Sequence, residues 1–168
     1  MAQEAAGTTA SASVFRGVTH LALDAKGRLA VPARHRGTLA SNGGAATEAS
    51  GSGLVLTVDP SGCLLLYPRV VWEPIQARLM ALSSFNAEIR RLQRLLVGHA
   101  DDVDMDSAGR ILVSPALRQY AALDHRVVFV GQGNKFELWD ETRWHEQTTQ
   151  AITFSAGTLP PELDGFSL

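Results

Sequence analysis

Leucines 21 and 23 alternate with polar neighbours, and after the turn "DAKGR" the same period-two pattern resumes at Leu29 and Val31. Alternation of this kind, broken by Asp and Gly, predicts two short strands joined by a tight turn. Asp at the first turn position and Gly at the fourth suit a type I turn closed by a glycine of positive φ. A helical turn is expected after Pro32, since proline is tolerated at a first helical position. Two further strands, "LVLTV" and "CLLLY", then flank Asp59-Pro60-Ser61-Gly62. Beyond them the period changes. Trp72, Ile75, Leu79 and Leu82, then Ile89, Leu92, Leu95 and Leu96, fall at spacings of three and four. That spacing predicts amphipathic helices, interrupted at "SSFN", with Asn86 as the N-cap of the second.

The same pattern then starts again. A shift of 82 positions lays Asp24, Gly27, Arg28, Val31 and Arg36 on Asp106, Gly109, Arg110, Val113 and Arg118. Further along, a shift of 72 matches Tyr67 to Trp139 and Trp72 to Trp144, and Pro115 takes the place in copy two that Pro32 has before the first helical turn. The ten-residue difference is taken up by "SNGGAATEASGSG", a Gly/Ala/Ser tract expected to be an exposed loop. Each copy reads strand, turn, strand, helical piece, two strands, helix. Copies of about 50 residues are marginal alone because they bury too little surface. The expectation is therefore an α+β, mainly β fold: a pseudo-dimer in which both copies share one barrel-like core, with helices between and after them. The expected divisions are an extension over 1–13, a first domain over 14–70, a helical connection over 71–96, a second domain over 97–150 and a tail over 151–168.

Charge adds what the pattern cannot. The net charge of −2 conceals a division. Residues 14–95 carry ten Lys/Arg against five acids, whereas 96–168 carry five against eleven, giving +5 and −6. One half is thus suited to an anion and the other to a different partner. No apolar run reaches the roughly 18 residues of a membrane span. The start "MAQEAAGTTASASVF" lacks the basic and apolar regions of a secretory signal. Cys63 is the single cysteine, which excludes an internal disulfide, fits a reducing cytoplasm, and reads as a small core residue.

Enzymatic chemistry finds little support. His20, His35, His99, His125 and His145 lack metal-ligand spacing. "GQGNKF" precedes a strand rather than a helix, so it fails as a dinucleotide site. No cofactor or metal is expected. A protein-interaction or antitoxin-like module of the same fold is the alternative to a DNA-binding protein.

The stretches "FRGVTHLALDAKGRLAVPARHR", "CLLLYP", "RRLQRLLVGHADDVDMDSAGRILVSPALRQYAAL" and "VGQGNKFELWDETRW" closely resemble the MraZ family, from Phe15 to about residue 150. The resemblance implies two SpoVT-AbrB-type swapped-hairpin domains, each with an Asp-x-x-x-Arg motif. It also implies a cytoplasmic, nucleoid-associated repressor of the division and cell-wall gene cluster that binds promoter direct repeats in duplex DNA as a ring of subunits. Two departures stand out: "VFRG" replaces the usual "MFRG", which makes Val14 a candidate start, and the Gly/Ala/Ser tract is longer than usual.

An arginine leaving a projecting turn can enter a major groove and pair with guanine. Arg28 is the candidate reader, with Asp24 orienting it. Lys26, Arg34 and Arg36, together with Arg16, are candidate phosphate contacts. In copy two, Asp106 and Arg110 repeat the motif, followed by Arg118. There Asp101, Asp102, Asp104 and Asp106 surround Arg110, so the expectation is that copy one reads DNA and copy two faces a neighbouring subunit.

Overall fold

The computed structural model of the chain describes residues 14–42, 53–150 and Pro161. The expected extension over 1–13, most of the Gly/Ala/Ser tract and all of the tail except Pro161 lie outside the described residues.

Among these the chain forms β1 (Phe15–Ala22), β2 (Arg28–Ala30), α1 (Ala33–Asn42), β3 (Leu54–Val58), β4 (Leu64–Pro68) and α2 (Arg69–Ala81). Then follow α3 (Ala87–Leu96), β5 (Asp101–Val103), β6 (Arg110–Leu112), α4 (Pro115–Tyr120), β7 (Arg126–Gly133), β8 (Phe136–Asp140) and α5 (Glu141–Thr149). Apart from α3, each element of the first half has its counterpart in the second. Asn86 caps α3 as its sequence predicts, its side chain accepting from the amides of Glu88 and Ile89.

The strands do not stay within their copies. Six form one antiparallel sheet in the order β1-β7-β8-β4-β3-β5, and β2 pairs with β6 in a separate two-stranded ribbon. Thus β1 lies beside β7 of the other copy, and β5 beside β3. The register shows a pseudo-two-fold axis. In the ribbon Leu29 faces its counterpart Ile111, while Arg28 faces Leu112 and Ala30 faces Arg110. In the sheet Leu65 faces its counterpart Glu137, flanked by Leu64 against Leu138 and Leu66 against Phe136. Each copy supplies strands that complete the other, so the fold is a duplicated, hairpin-swapped barrel.

Two cores follow from the alternation. Leu23, Leu29, Val31 and Leu39 of the first copy meet Ile111, Val113 and Leu117 of the second beneath the ribbon, against Leu56, Leu64, Phe129 and Leu138 of the sheet. On the opposite sheet face, Val55, Cys63, Leu65, Tyr67, Val128 and Trp139 pack with Trp72, Ile75 and Trp144 of the helices. The aromatic pairs Tyr67–Trp72 and Trp139–Trp144, matched in sequence, are matched in space with ring centroids 5.5 and 6.1 Å apart. Cys63 is buried, and desolvation pushes its thiol up to about 12, leaving it protonated and inert.

Phe136 joins the halves most directly, its ring 4.3 Å from that of Phe15 and 4.4 Å from that of Phe129. Phe136→Ala is expected to cost about 3–5 kcal/mol of stability, from lost burial plus an unfilled cavity. Urea unfolding of the full chain reads this directly; a loss below about 1 kcal/mol would show that the site collapses and the aromatic junction is dispensable.

Candidate nucleic-acid interface

The two Asp-x-x-Gly-Arg turns are built alike. In the first, the Gly27 amide donates to the Asp24 carbonyl at 2.9 Å and the Asp24 amide to the Arg28 carbonyl at 3.0 Å. The Asp24 side chain closes the loop: Oδ1 accepts from the amides of Lys26 and Arg28, and Oδ2 from Arg28 Nε at 2.6 Å. In the second, Asp106 Oδ1 accepts from the amides of Ala108 and Arg110, and Oδ2 from Arg110 Nε at 2.9 Å. Gly27 and Gly109 adopt φ of +80° and +75°, which L side chains rarely adopt.

This grip has a chemical consequence. Only Nε of each arginine is engaged, so both terminal nitrogens of Arg28 and of Arg110 have no partner among the described residues. A carboxylate holds the base of the guanidinium fork and leaves its tip, a two-donor face, pointing outward. The amide of Arg28, its guanidinium and the amide of Lys26 all favour ionised Asp24, whose pKa falls from 3.8 to about 2. Asp106 is lowered for the same reason, the Arg110 amide first.

The ribbon places the two arginines together. Leu29 and Ile111 point inward, so Arg28, Ala30, Arg110 and Leu112 share the outer face. Arg28 and Arg110 are equally accessible, with side chains 33% and 37% exposed. Leu112 is 54% exposed beside Arg28. Leu112 is not among the sequence candidates, although period-two alternation from Arg110 sets it on that face.

The remaining candidates are divided. Lys26 is exposed at the tip of the first turn, and Arg16 is exposed on β1 opposite Gln132. Arg34 is engaged elsewhere: Nη2 donates to Thr19 Oγ1 at 2.8 Å and Nε to His35 Nε2 at 3.0 Å. That bond suits a neutral His35, whose pKa is depressed by burial and then by the Arg34 charge. Arg36 packs on the second turn rather than the first. Its Nε donates to the Val31 carbonyl at 2.7 Å, and its guanidinium rests on Gly109 of the other turn. Arg118 reciprocates over Gly27. The basic cluster expected around Arg28 from chain proximity is therefore split, because the arginines of α1 and α4 each reach the opposite turn. The acidic surroundings of Arg110 are also partly satisfied: Asp102 pairs with Arg69 at 2.7 Å, and Asp101 accepts from Ser114.

Among the described residues no group of His, Cys, Asp and Glu is placed to hold a metal ion. No described helix is long and apolar enough to cross a membrane.

A duplicated hairpin-swapped barrel with an arginine-bearing ribbon defines the structural class. The family model described as "MraZ protein, putative antitoxin-like" matches residues 14–95 and again 96–162. The chain belongs to the MraZ family. "Transcriptional regulator MraZ" of Nitrosospira multiformis is 56% identical over 155 residues, spanning 92% of this chain and 100% of that protein. The protein of the same name from Thiobacillus denitrificans is 54% identical over the same extent. That of Escherichia coli is 49% identical over 159 residues, again covering 92% of this chain and 100% of the relative. The relatives named here are transcriptional regulators.

The lowered Asp24 pKa fixes a sign. A depressed carboxyl pKa stabilises the fold fully above its unfolded value and loses that contribution as pH falls toward the folded value. The difference in Tm between the protein and Asp24→Asn is expected to stay constant above about pH 4 and to close as pH approaches about 2. Closure already between about pH 6 and 5 would assign the effect to a histidine instead.

Proposed function

We propose that this protein is a sequence-specific, duplex-DNA-binding transcriptional regulator that inserts the β2–β6 ribbon into a major groove. The single observation that carries this reading is the shared outer face of the ribbon, where two braced arginines project with free terminal donors. A two-stranded ribbon fits the major groove, and an arginine there can make two hydrogen bonds to guanine O6 and N7. Leu112 and Ala30, between the arginines, suit apolar contact with a thymine methyl. Lys26 and Arg16 supply phosphate contacts, which fix position and make binding salt-dependent.

The ribbon favours both motifs over one. Arg28 and Arg110 share the same carboxylate brace, the same face and similar exposure. The alternative, in which copy two turns toward a neighbouring subunit, rests on the four aspartates, of which Asp101, Asp102 and Asp106 already have partners.

The opposite charges of the two halves support head-to-tail association, and such contacts close into rings. A ring repeats the ribbon at fixed spacing, so weak contacts to promoter direct repeats gain roughly 10²–10⁴ in avidity. Repression of the division and cell-wall cluster, including the protein's own promoter, and a cytoplasmic, nucleoid-associated location complete the reading. No cofactor or small-molecule ligand enters it. A second reading, as a protein-binding partner, is favoured by the family description "antitoxin-like" and by Met80, Leu82 and Phe85, exposed where α2 meets α3.

Binding of the full-length protein to its own upstream DNA across a salt series tests the proposal. Arg28→Ala and Arg110→Ala are each expected to cost about 1–3 kcal/mol and to relax base discrimination. Lys26→Ala should weaken all sequences alike and lower the salt slope by about one. Binding that ignores both salt and sequence would refute the reading; loss from Arg28→Ala alone would favour the asymmetric alternative.

A further inference from the structure

We propose that Arg36 and Arg118 are positioning residues that act across the duplication: Arg118 of copy two braces the copy-one turn, and Arg36 of copy one braces the copy-two turn. The inference concerns the turns themselves; only its consequence for DNA rests on the function proposed above.

Gly27 lies against Arg118. A Cβ added there would sit 2.8 Å from Arg118 Nε, 2.9 Å from its Cζ and 3.0 Å from the Val113 carbonyl. At Gly109 an added Cβ would overlap Nε, Cζ and Cδ of Arg36. Each guanidinium thus packs against the other copy's glycine, in the space that a side chain there would enter. The backbone crosses in the same sense: the Val113 amide donates to the Gly27 carbonyl and the Val31 amide to the Gly109 carbonyl, both at 2.9 Å. Arg36 Nε bonds the carbonyl of that same Val31.

Arg118 shows how closely the side chain packs on the turn. Its Nε is fully buried and has no hydrogen-bond partner. Burying a charged donor unpaired is unfavourable, so the contact with the turn must offset it. Packed at its Nε against Gly27, the side chain limits the freedom of the copy-one turn. Its planar, weakly hydrated guanidinium is suited to stacking on a peptide plane in a way an ammonium is not. Positive φ is what favours glycine at the fourth turn position, and the arginine packs in the space the absent side chain leaves.

Hydrogen-exchange mass spectrometry on the free, full-length protein tests the crossing without DNA. Arg118→Ala is expected to speed exchange of the amides in 24–28 about tenfold and leave 106–110 unchanged; Arg36→Ala should do the reverse. Arg118→Lys, which keeps charge but not the planar group, should shift the same turn by less. Faster exchange of the turn in the variant's own copy, or of both turns equally, overturns the proposal. In promoter binding, Arg118→Ala should cost about tenfold in an Arg110→Ala background and nothing further in an Arg28→Ala background. Equal losses in both backgrounds contradict the crossing. If the wild-type protein binds no DNA, the exchange data still decide the bracing and the functional reading fails alone.

Discussion

The amide of Val31 is satisfied by the carbonyl of Gly109, and the amide of Val113 by that of Gly27. A buried backbone donor left unpaired is costly, so neither hairpin can close without the other. Much of the architecture depends on this reciprocity. It forces β2 against β6, sets Leu29 opposite Ile111 on the pseudo-two-fold axis, and buries both beneath the ribbon. With those two residues inward, Arg28 and Arg110 have only the outer face to occupy. The surface proposed to read DNA is thus a by-product of how the duplicated halves satisfy each other's backbone.

Electrostatics then refines what topology supplies. A long arginine on an exposed ribbon would sample many rotamers, and ordering it on binding would oppose association. Asp24 and Asp106 remove part of that freedom in the free protein by holding Nε. The amide bonds to the same carboxylates keep them ionised far below neutral pH, so the brace is constant across physiological conditions. The turn behaves as a rigid holder for a two-donor fork, which is the property a base-reading side chain needs.

Much of this was legible in the chain. The offset repeat gave the duplication, the Asp and Gly positions gave the turn, and the matched aromatics Tyr67 with Trp139 and Trp72 with Trp144 gave equivalent packing. Period-two alternation placed Leu29 inward. What remained hidden was the exchange of partners. Local propensity carries no information about which of two similar strands β1 will pair with, since β7 and β3 offer nearly the same surface. Arg36 shows the result. It stands only eight residues after Arg28, yet its side chain packs on Gly109, 73 positions along the chain. The same exchange moves Arg110 from an isolated acidic segment to the side of Arg28.

A structure of the intact protein bound to its promoter repeats tests the central claim most directly. The account predicts the β2–β6 ribbon in a major groove, with the terminal nitrogens of both Arg28 and Arg110 within hydrogen-bonding distance of guanine edges. A complex in which that outer face is covered by another subunit, with DNA lying on a different surface, would contradict it.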